Sequence, residues 1–306
     1  MDRLTSMTVF AKVAAARSFS TAARELGISQ ATASKHVQTL ERWLGTRLLE
    51  RTTRRVALTD SGEAFLAQCS RILEDIDDAA NIARPQVELR GSLRVSVSME
   101  FGTSLLGPPL AEFLQRYPEL SVNVALSDRP VDLIEEGYDL AIRKEPADRP
   151  GLVAFRLMPL RYVVCAAPVY LQRRGVPASP AQLKSHRCIA GMRMDDAVWR
   201  FSGAAGTAEV SVQGNLIINS AMLRRDAALA GAGVMRCADF LVENDIAEGR
   251  LVRLLEAYPL EVKELYAICP AARAASPKIR SLIAHLRSAL LARGATSLWP
   301  ESPADC

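Results

Sequence analysis

The 306-residue chain is short of several things, and each shortage excludes a class of protein. No apolar run approaches the roughly 18 residues that a membrane span needs. The N-terminal stretch MDRLTSMTVFAKVAAA has neither the basic start nor the apolar block of a secretory leader. It reads instead as an amphipathic helix with Leu4, Met7, Phe10, Val13 and Ala14 on one face, so the expected compartment is the cytoplasm and no membrane partner is expected. The six cysteines (Cys69, Cys165, Cys188, Cys237, Cys269 and Cys306) never fall into a C-x-x-C pair. His36, His186 and His285 are scattered. A zinc site and a thioredoxin-like motif are therefore not indicated, and no metal or cofactor is expected. In a reducing cytoplasm most of these thiols should be apolar filling, with a thiol switch on one or two of them as the alternative. Ser-His-Asp arrangements, paired-carboxylate motifs, phosphate loops and a Gly-rich dinucleotide fingerprint after a strand are all missing, which argues against an enzyme.

What is present is concentrated near the N-terminus. Residues 1–60 hold ten Lys and Arg against five Asp and Glu, while the remainder holds 28 against 29. The positive excess thus sits at one end, as phosphate contact requires. Residues 18–62 contain two short helical patterns, a tight turn between them, and a basic hairpin. The first helix is expected to be capped by Ser20 and closed by Gly27. The second is capped by Ser29 and runs to Gly45, with Ala33, Val37, Leu40 and Leu44 as its buried stripe. That is the helix-turn-helix pattern, whose second helix enters the major groove by its N-terminal end. The candidate DNA-binding residues on it are Ser29, Gln30, Ala31, Thr32, Ser34, Lys35 and Gln38, joined by Arg51, Thr52 and Arg54 of the hairpin wing.

Beyond the wing, Phe65, Cys69, Ile72 and Ile76 follow heptad spacing on an expected helix over 61–84. They are read as a dimerisation seam, with packing of the helix on its own domain as the bland alternative. Residues 85–91 read as a hinge. From Gly91 strands alternate with helices: 93–98, 120–126 and 139–143 as strands, a helix over about 107–117, and a short helix over 131–137. A second set covers 161–167, 188–192 and 210–218, a helix from Asn219 or Ser220 to Ala230, and a further helix from Asp239. Residues 265–270 return as a strand, covered by a helix over 277–293. This order implies a mostly parallel sheet in an α/β unit.

Ala22, Ala23, Leu26, Ile28, Ser29, Gln30, Ser34, Val37, Leu40 and Glu41, followed by Leu44, Gly45, Leu48, Leu49, Arg51, Arg54, Leu58, Thr59 and Gly62, resemble the signature of LysR-type transcriptional regulators. Ala31, Leu49 and Ser61 stand where the family usually has Pro, Phe and Ala, and none of these changes removes a DNA-facing polar group. The run LSDRPVDLIEEGYDLAIR, from Leu126 to Arg143, resembles one subgroup. The resemblance implies a winged helix-turn-helix over 1–60, the linker helix, and a two-lobed effector-binding domain over 92–295, similar to type 2 periplasmic solute-binding proteins. Lobe I is expected at 92–161 and 269–295, lobe II at 162–268, and a flexible tail at 296–306. It further implies a homodimer or homotetramer on an interrupted palindrome in promoter DNA, and a small organic effector, aromatic or acidic. A chromosomal architectural protein without ligand is the further alternative.

Ligands of paired α/β lobes sit at the carboxyl ends of strands, in the crevice. That rule selects Ser98, Met99, Glu100, Phe101, Thr103, Ser104, Ser127 and Arg143 from lobe I, and Asn219 and Ser220 from lobe II. Phe101 is the expected stacking face and Asn219 with Ser220 the expected carboxylate seat, although Phe101 also reads as plain core and Asn219 as a cap. Asp128 reads as a helix cap or a ligand contact, and Arg143 as a ligand contact or a partner of Glu145 or Asp139.

Overall fold

The computed structural model describes residues 2–51, 56–82, 89–146, 149–192, 197–203 and 206–295, in two compact units, Met1–Glu88 and Leu89–Cys306. Of the expected features, the C-terminal tail and most of the hinge lie outside the described residues.

The first unit opens with α1 (Arg3–Ala16), capped by Asp2, whose carboxylate accepts from the backbone N–H of Leu4 and Thr5, each at 3.2 Å. Met7, Phe10, Val13 and Ala14 are buried as expected, while Leu4 is exposed. Helix α2 (Phe19–Glu25) is capped by Ser18, whose hydroxyl accepts from Thr21 N–H at 3.3 Å. The cap therefore lies two residues before the expected Ser20. Helix α3 (Gln30–Leu44) has Ser29 as its cap (Thr32 N–H at 3.1 Å) and Gly45 at φ +69° as its end. Ala33, Val37 and Leu40 of α3 are buried against Phe10, Val13, Ala22 and Leu48.

The wing is a two-stranded antiparallel ribbon, β1 (Leu49–Arg51) with β2 (Val56–Leu58). Helix α4 (Asp60–Ile82) then runs 23 residues, or about 35 Å at 1.5 Å per residue. Its first turn is locked to the wing. Thr59 Oγ1 donates to the Arg47 carbonyl at 2.7 Å and accepts from Gly62 N–H at 3.0 Å. Gly62 is required there, because a Cβ on it would stand 2.0 Å from the Leu48 carbonyl oxygen.

The expected seam on α4 divides. Cys69 is fully buried in the core of its own unit, and Phe65 packs beside Phe10, ring centroids 5.7 Å apart. Cys69 is thus unavailable to a seam and Phe65, half-buried, is shared with its own unit: the apolar surface of the three-helix core claims this end of the helix first. Ile72 and Ile76 are 41% and 40% exposed.

The second unit contains two five-stranded sheets. Lobe I orders its strands β4 (Leu120–Leu126), β3 (Gly91–Val97), β5 (Leu140–Arg143), β14 (Lys263–Pro270), β6 (Leu152–Leu160). Lobe II orders them β11 (Leu216–Ile217), β8 (Cys188–Ala190), β12 (Val234–Ala238), β7 (Tyr162–Ala166), β13 (Val252–Leu254). A hairpin of β9 (Val198–Gly203) and β10 (Gly206–Ser211) stands beside lobe II. Strands β3, β4 and β5 are parallel, as the α/β alternation implies, and β14 runs antiparallel to its neighbours.

The chain crosses from lobe I to lobe II at Arg161 and returns before Lys263. The second crossing is thus earlier than the expected residue 269, because all of β14 pairs within the lobe I sheet. Three further expectations change. Residues 210–218 divide between β10 and β11. Residues 133–137 form hydrogen-bonded turns rather than a helix, ended by Gly137 at φ +70°. Strands β6, β9, β12 and β13 have no counterpart among the strands expected from the sequence.

Lobe I is closed by α6 (Gly107–Arg116) and α10 (Pro277–Ala295), joined where His285 Nε2 meets the Pro109 carbonyl at 2.8 Å. In lobe II the short α7 (Pro168–Arg174), α8 (Ala221–Leu229) and α9 (Glu243–Ala247) flank the sheet. Asp245, fully buried, binds Arg225 Nη2 and Arg250 Nη2 at 2.8 Å each.

Substituting Gly62 by Ala should force the wing away from α4. We expect a loss of about 1–3 kcal/mol, the range for overpacking a close contact, measured by urea unfolding. An unchanged midpoint would contradict the Leu48–Gly62 contact.

Candidate functional site: an exposed helix face and a cleft between two lobes

The first N-terminal turns of α3 present their polar residues outward. Ser29, Gln30, Ala31, Lys35 and Gln38 are exposed, while Thr32 and Ser34 are half-buried. Ser29 and Thr32 are also engaged with each other, their hydroxyls 2.8 Å apart. The opposite side of the helix is fastened inward: His36 Nδ1 meets Ser6 Oγ of α1 at 2.9 Å in a buried contact. Glu41 fastens the wing, its Oε1 accepting from the backbone N–H of Leu48 at 3.0 Å and Leu49 at 3.2 Å. Glu41 belongs to the sequence signature, but its task was not apparent from spacing. Of the wing candidates, Thr52, Arg54 and the Arg51 side chain lie outside the described residues.

The second unit holds a cleft of about 1130 Å³, lined from lobe I by the ends of β3, β4 and β5 and from lobe II by Met192, Asn219, Ala221 and Arg224. Six of the ten expected effector residues line it: Ser98, Met99, Glu100, Ser127, Arg143 and Asn219. The other four do not. The helix that follows β3, α5 (Met99–Ser104), shows the cleft only its first two residues. Phe101 turns into the lobe I core, fully buried, with its ring 5.8 Å from Phe240. The Thr103 hydroxyl donates back to the Met99 carbonyl at 2.8 Å, and the Ser104 carbonyl accepts from Arg293 at 3.1 Å. Ser220 is the N-cap of α8, its hydroxyl accepting from Leu223 N–H at 3.3 Å.

The charges of the lining are largely internally satisfied. Asp128 Oδ1 accepts from Met99 N–H at 3.0 Å, so it is indeed a helix cap, though of α5 rather than of a helix of its own. Arg129 pairs with Glu136, through Nη1 to Oε1 at 2.9 Å, and this pair holds the Glu136 carboxyl below its usual range. Arg149 pairs with Asp132 at 2.9 Å. Arg143 donates from Nη2 to Ser96 Oγ at 2.7 Å and from Nη1 to the Ile142 carbonyl at 2.8 Å. Burial lowers the Arg143 pKa, and the Asp128 charge opposes that; a guanidinium remains protonated regardless. Asp139, a partner considered for Arg143, is bound by Arg273 and by Arg94 N–H instead.

The residue that the strand-end rule missed is Arg224. It sits one turn inside α8, is 8% exposed, and lines the cleft. In sequence it is one of two successive arginines on a polar helix, indistinguishable from a solvated face.

The thiols among the described residues are shielded. Cys69, Cys165, Cys188, Cys237 and Cys269 are all buried. Burial pushes Cys69 and Cys269 up to about 11 and Cys188 to about 12, whereas thiol switching needs a thiolate. Cys306 lies outside the described residues.

Comparison with known proteins places these two sites in one context. Residues 4–63 match the family model described as bacterial regulatory helix-turn-helix protein, lysR family, and residues 86–291 match that of the LysR substrate binding domain. The probable HTH-type transcriptional regulator LtrA of Klebsiella pneumoniae is 35% identical over 257 residues, covering 83% of each protein. The transcriptional regulator PtxR of Pseudomonas aeruginosa is 34% identical over 289 residues, covering 94% of this chain and 93% of that protein. Among solved structures, CrgA, a LysR-type transcriptional regulator from Neisseria meningitidis, matches with a TM-score of 0.59 at 30% identity, over 95% of this chain and 98% of that one. The chain belongs to the LysR family, and is a DNA-binding transcriptional regulator whose C-terminal unit carries that family's domain for a small-molecule effector.

Proposed function

We propose that this regulator reads promoter DNA with the exposed start of α3 and is controlled by an effector enclosed between the lobes of its second unit. The observation that carries the reading is the cleft itself, with polar groups contributed from both sides. An effector that touches both lobes has more contacts when they are closed. It shifts the regulator between two states by that difference in affinity alone. Among the described residues no helix is long and apolar enough to cross a membrane. The working place of the protein is the cytoplasm, where its DNA is.

Gln30 is the base-reading residue in this scheme, because it is exposed, belongs to the first turn of α3 and carries an amide able to bond two base-edge atoms. Lys35 serves phosphate. Gln30→Ala should cost about 1–3 kcal/mol on the specific site and relax preference there. Lys35→Ala should weaken every sequence alike and reduce the salt slope by roughly one. Titrations against operator and scrambled DNA check both; equal discrimination by wild type and Gln30→Ala would refute the first.

Assembly as a homodimer or homotetramer uses Ile72 and Ile76, an apolar pair four residues apart on α4. Ile76→Asp sets a charge in that contact and should shift the full chain toward monomer in sedimentation velocity. An unaltered distribution would remove Ile76 from the interface.

Ser127 lies at the end of β4 on the cleft wall. Ser127→Trp should fill the space and abolish the transcriptional response, with operator affinity unchanged. A response of full amplitude would show that the effector binds elsewhere.

A further inference from the structure

Helix α8 carries two successive arginines with opposite surroundings. Arg225 is neutralised: it forks onto the buried Asp245 and lies 3.6 Å from Asp226. Arg224 projects to the other side, into the cleft wall. Although nine-tenths buried, it makes no ion pair among the described residues, and its Nε has no hydrogen-bond partner. A buried cation without a counter-charge is unfavourable, and folded proteins keep charges buried where a partner completes them. The other arginines of the cleft are already engaged: Arg129 by Glu136, Arg149 by Asp132, and Arg143 by Ser96 and the Ile142 carbonyl, with Asp128 favouring its charge.

Across from Arg224 the lobe I lining includes Met99, Ala141 and Ile268. The last two belong to a buried apolar cluster with Leu133. The same wall carries Glu100 and Asp128, whose charge opposes a second anionic group on that side. Resting on the cleft reading above, we infer that the effector is an organic monocarboxylic acid: Arg224 of lobe II takes its carboxylate, and its apolar body lies against Met99, Ala141 and Ile268 of lobe I. The planar guanidinium suits a carboxylate, to which it donates two parallel N–H bonds. A single molecule held this way spans both lobes, so recognition of its charge and closure of the cleft are one event.

The test is thermal unfolding of the full chain with sodium benzoate as probe, benzamide as its uncharged counterpart, succinate as a dicarboxylate, and sodium chloride at matched ionic strength. Benzoate should raise the wild-type Tm by about 2–4 °C, with benzamide, succinate and chloride below it. Arg224→Gln should remove the shift and Arg224→Lys should keep only part of it. Without any ligand, Arg224→Met should melt at or above wild type, because it removes a buried charge that no described residue pairs while keeping the stem. A benzoate shift matched by benzamide or succinate, no benzoate shift in the wild type, or a ligand-free Arg224→Met that melts several degrees lower would each overturn the assignment. Ser127→Trp separates the two readings. A shift that survives Arg224→Gln but not Ser127→Trp would discard the arginine and keep the cleft. A shift that survives both would discard both.

Discussion

The C-terminal unit depends on a single topological constraint: its chain must leave the lobe I sheet and return to it. It leaves at Arg161, between β6 and β7, and returns ahead of β14. Because β14 pairs with both β5 and β6, the returning strand closes the first sheet around its own exit. The described strands between the two crossings form the second five-stranded sheet and the separate β9–β10 hairpin. The parallel strands β3, β4 and β5 then end on the side where the start of α8 stands, and the cleft between them is a by-product of that crossing. The turns after β4, including Asp128, Asp132 and Glu136, and the segment after β5, including Lys144 and Glu145, complete its lobe I wall, which fits the general placement of ligands beyond strand ends in α/β units.

Much of this organisation is visible in the amino-acid order, for local reasons. Ser29 and Gly45 delimit α3 because capping and a left-handed end are decided by neighbouring residues. The alternation after Gly91 identifies parallel strands, and the strand-end rule finds Ser98, Met99, Glu100, Ser127, Arg143 and Asn219. It fails one step further on. Strand ends locate a region of space, but which way a helical residue faces depends on what packs beside the helix. Phe101, Thr103, Ser104 and Ser220 each follow a strand end, yet packing and backbone bonding consume them.

The same limit applies to α4. Heptad spacing marks a helix face without naming its partner, and here the face is shared. Phe65 and Cys69 serve the core of their own unit, while Ile72 and Ile76 remain uncovered by it. Arg224 is the reverse case. Its sequence neighbours are polar and suggest solvent, and only the burial of the side chain distinguishes it from Arg225.

Glu41 ties the wing to α3. Its carboxylate holds the first wing residues to the recognition helix through two backbone bonds, and Gly62 leaves no room for the wing to retreat toward α4. The helix and the ribbon are thus a caliper of set opening. With α3 and the ribbon on DNA as proposed above, such a tool would measure groove width as well as base identity. A duplex whose local geometry departs from that opening must itself deform, at an energy that depends on its stiffness. Base pairs that no side chain touches can thereby still influence where this regulator settles.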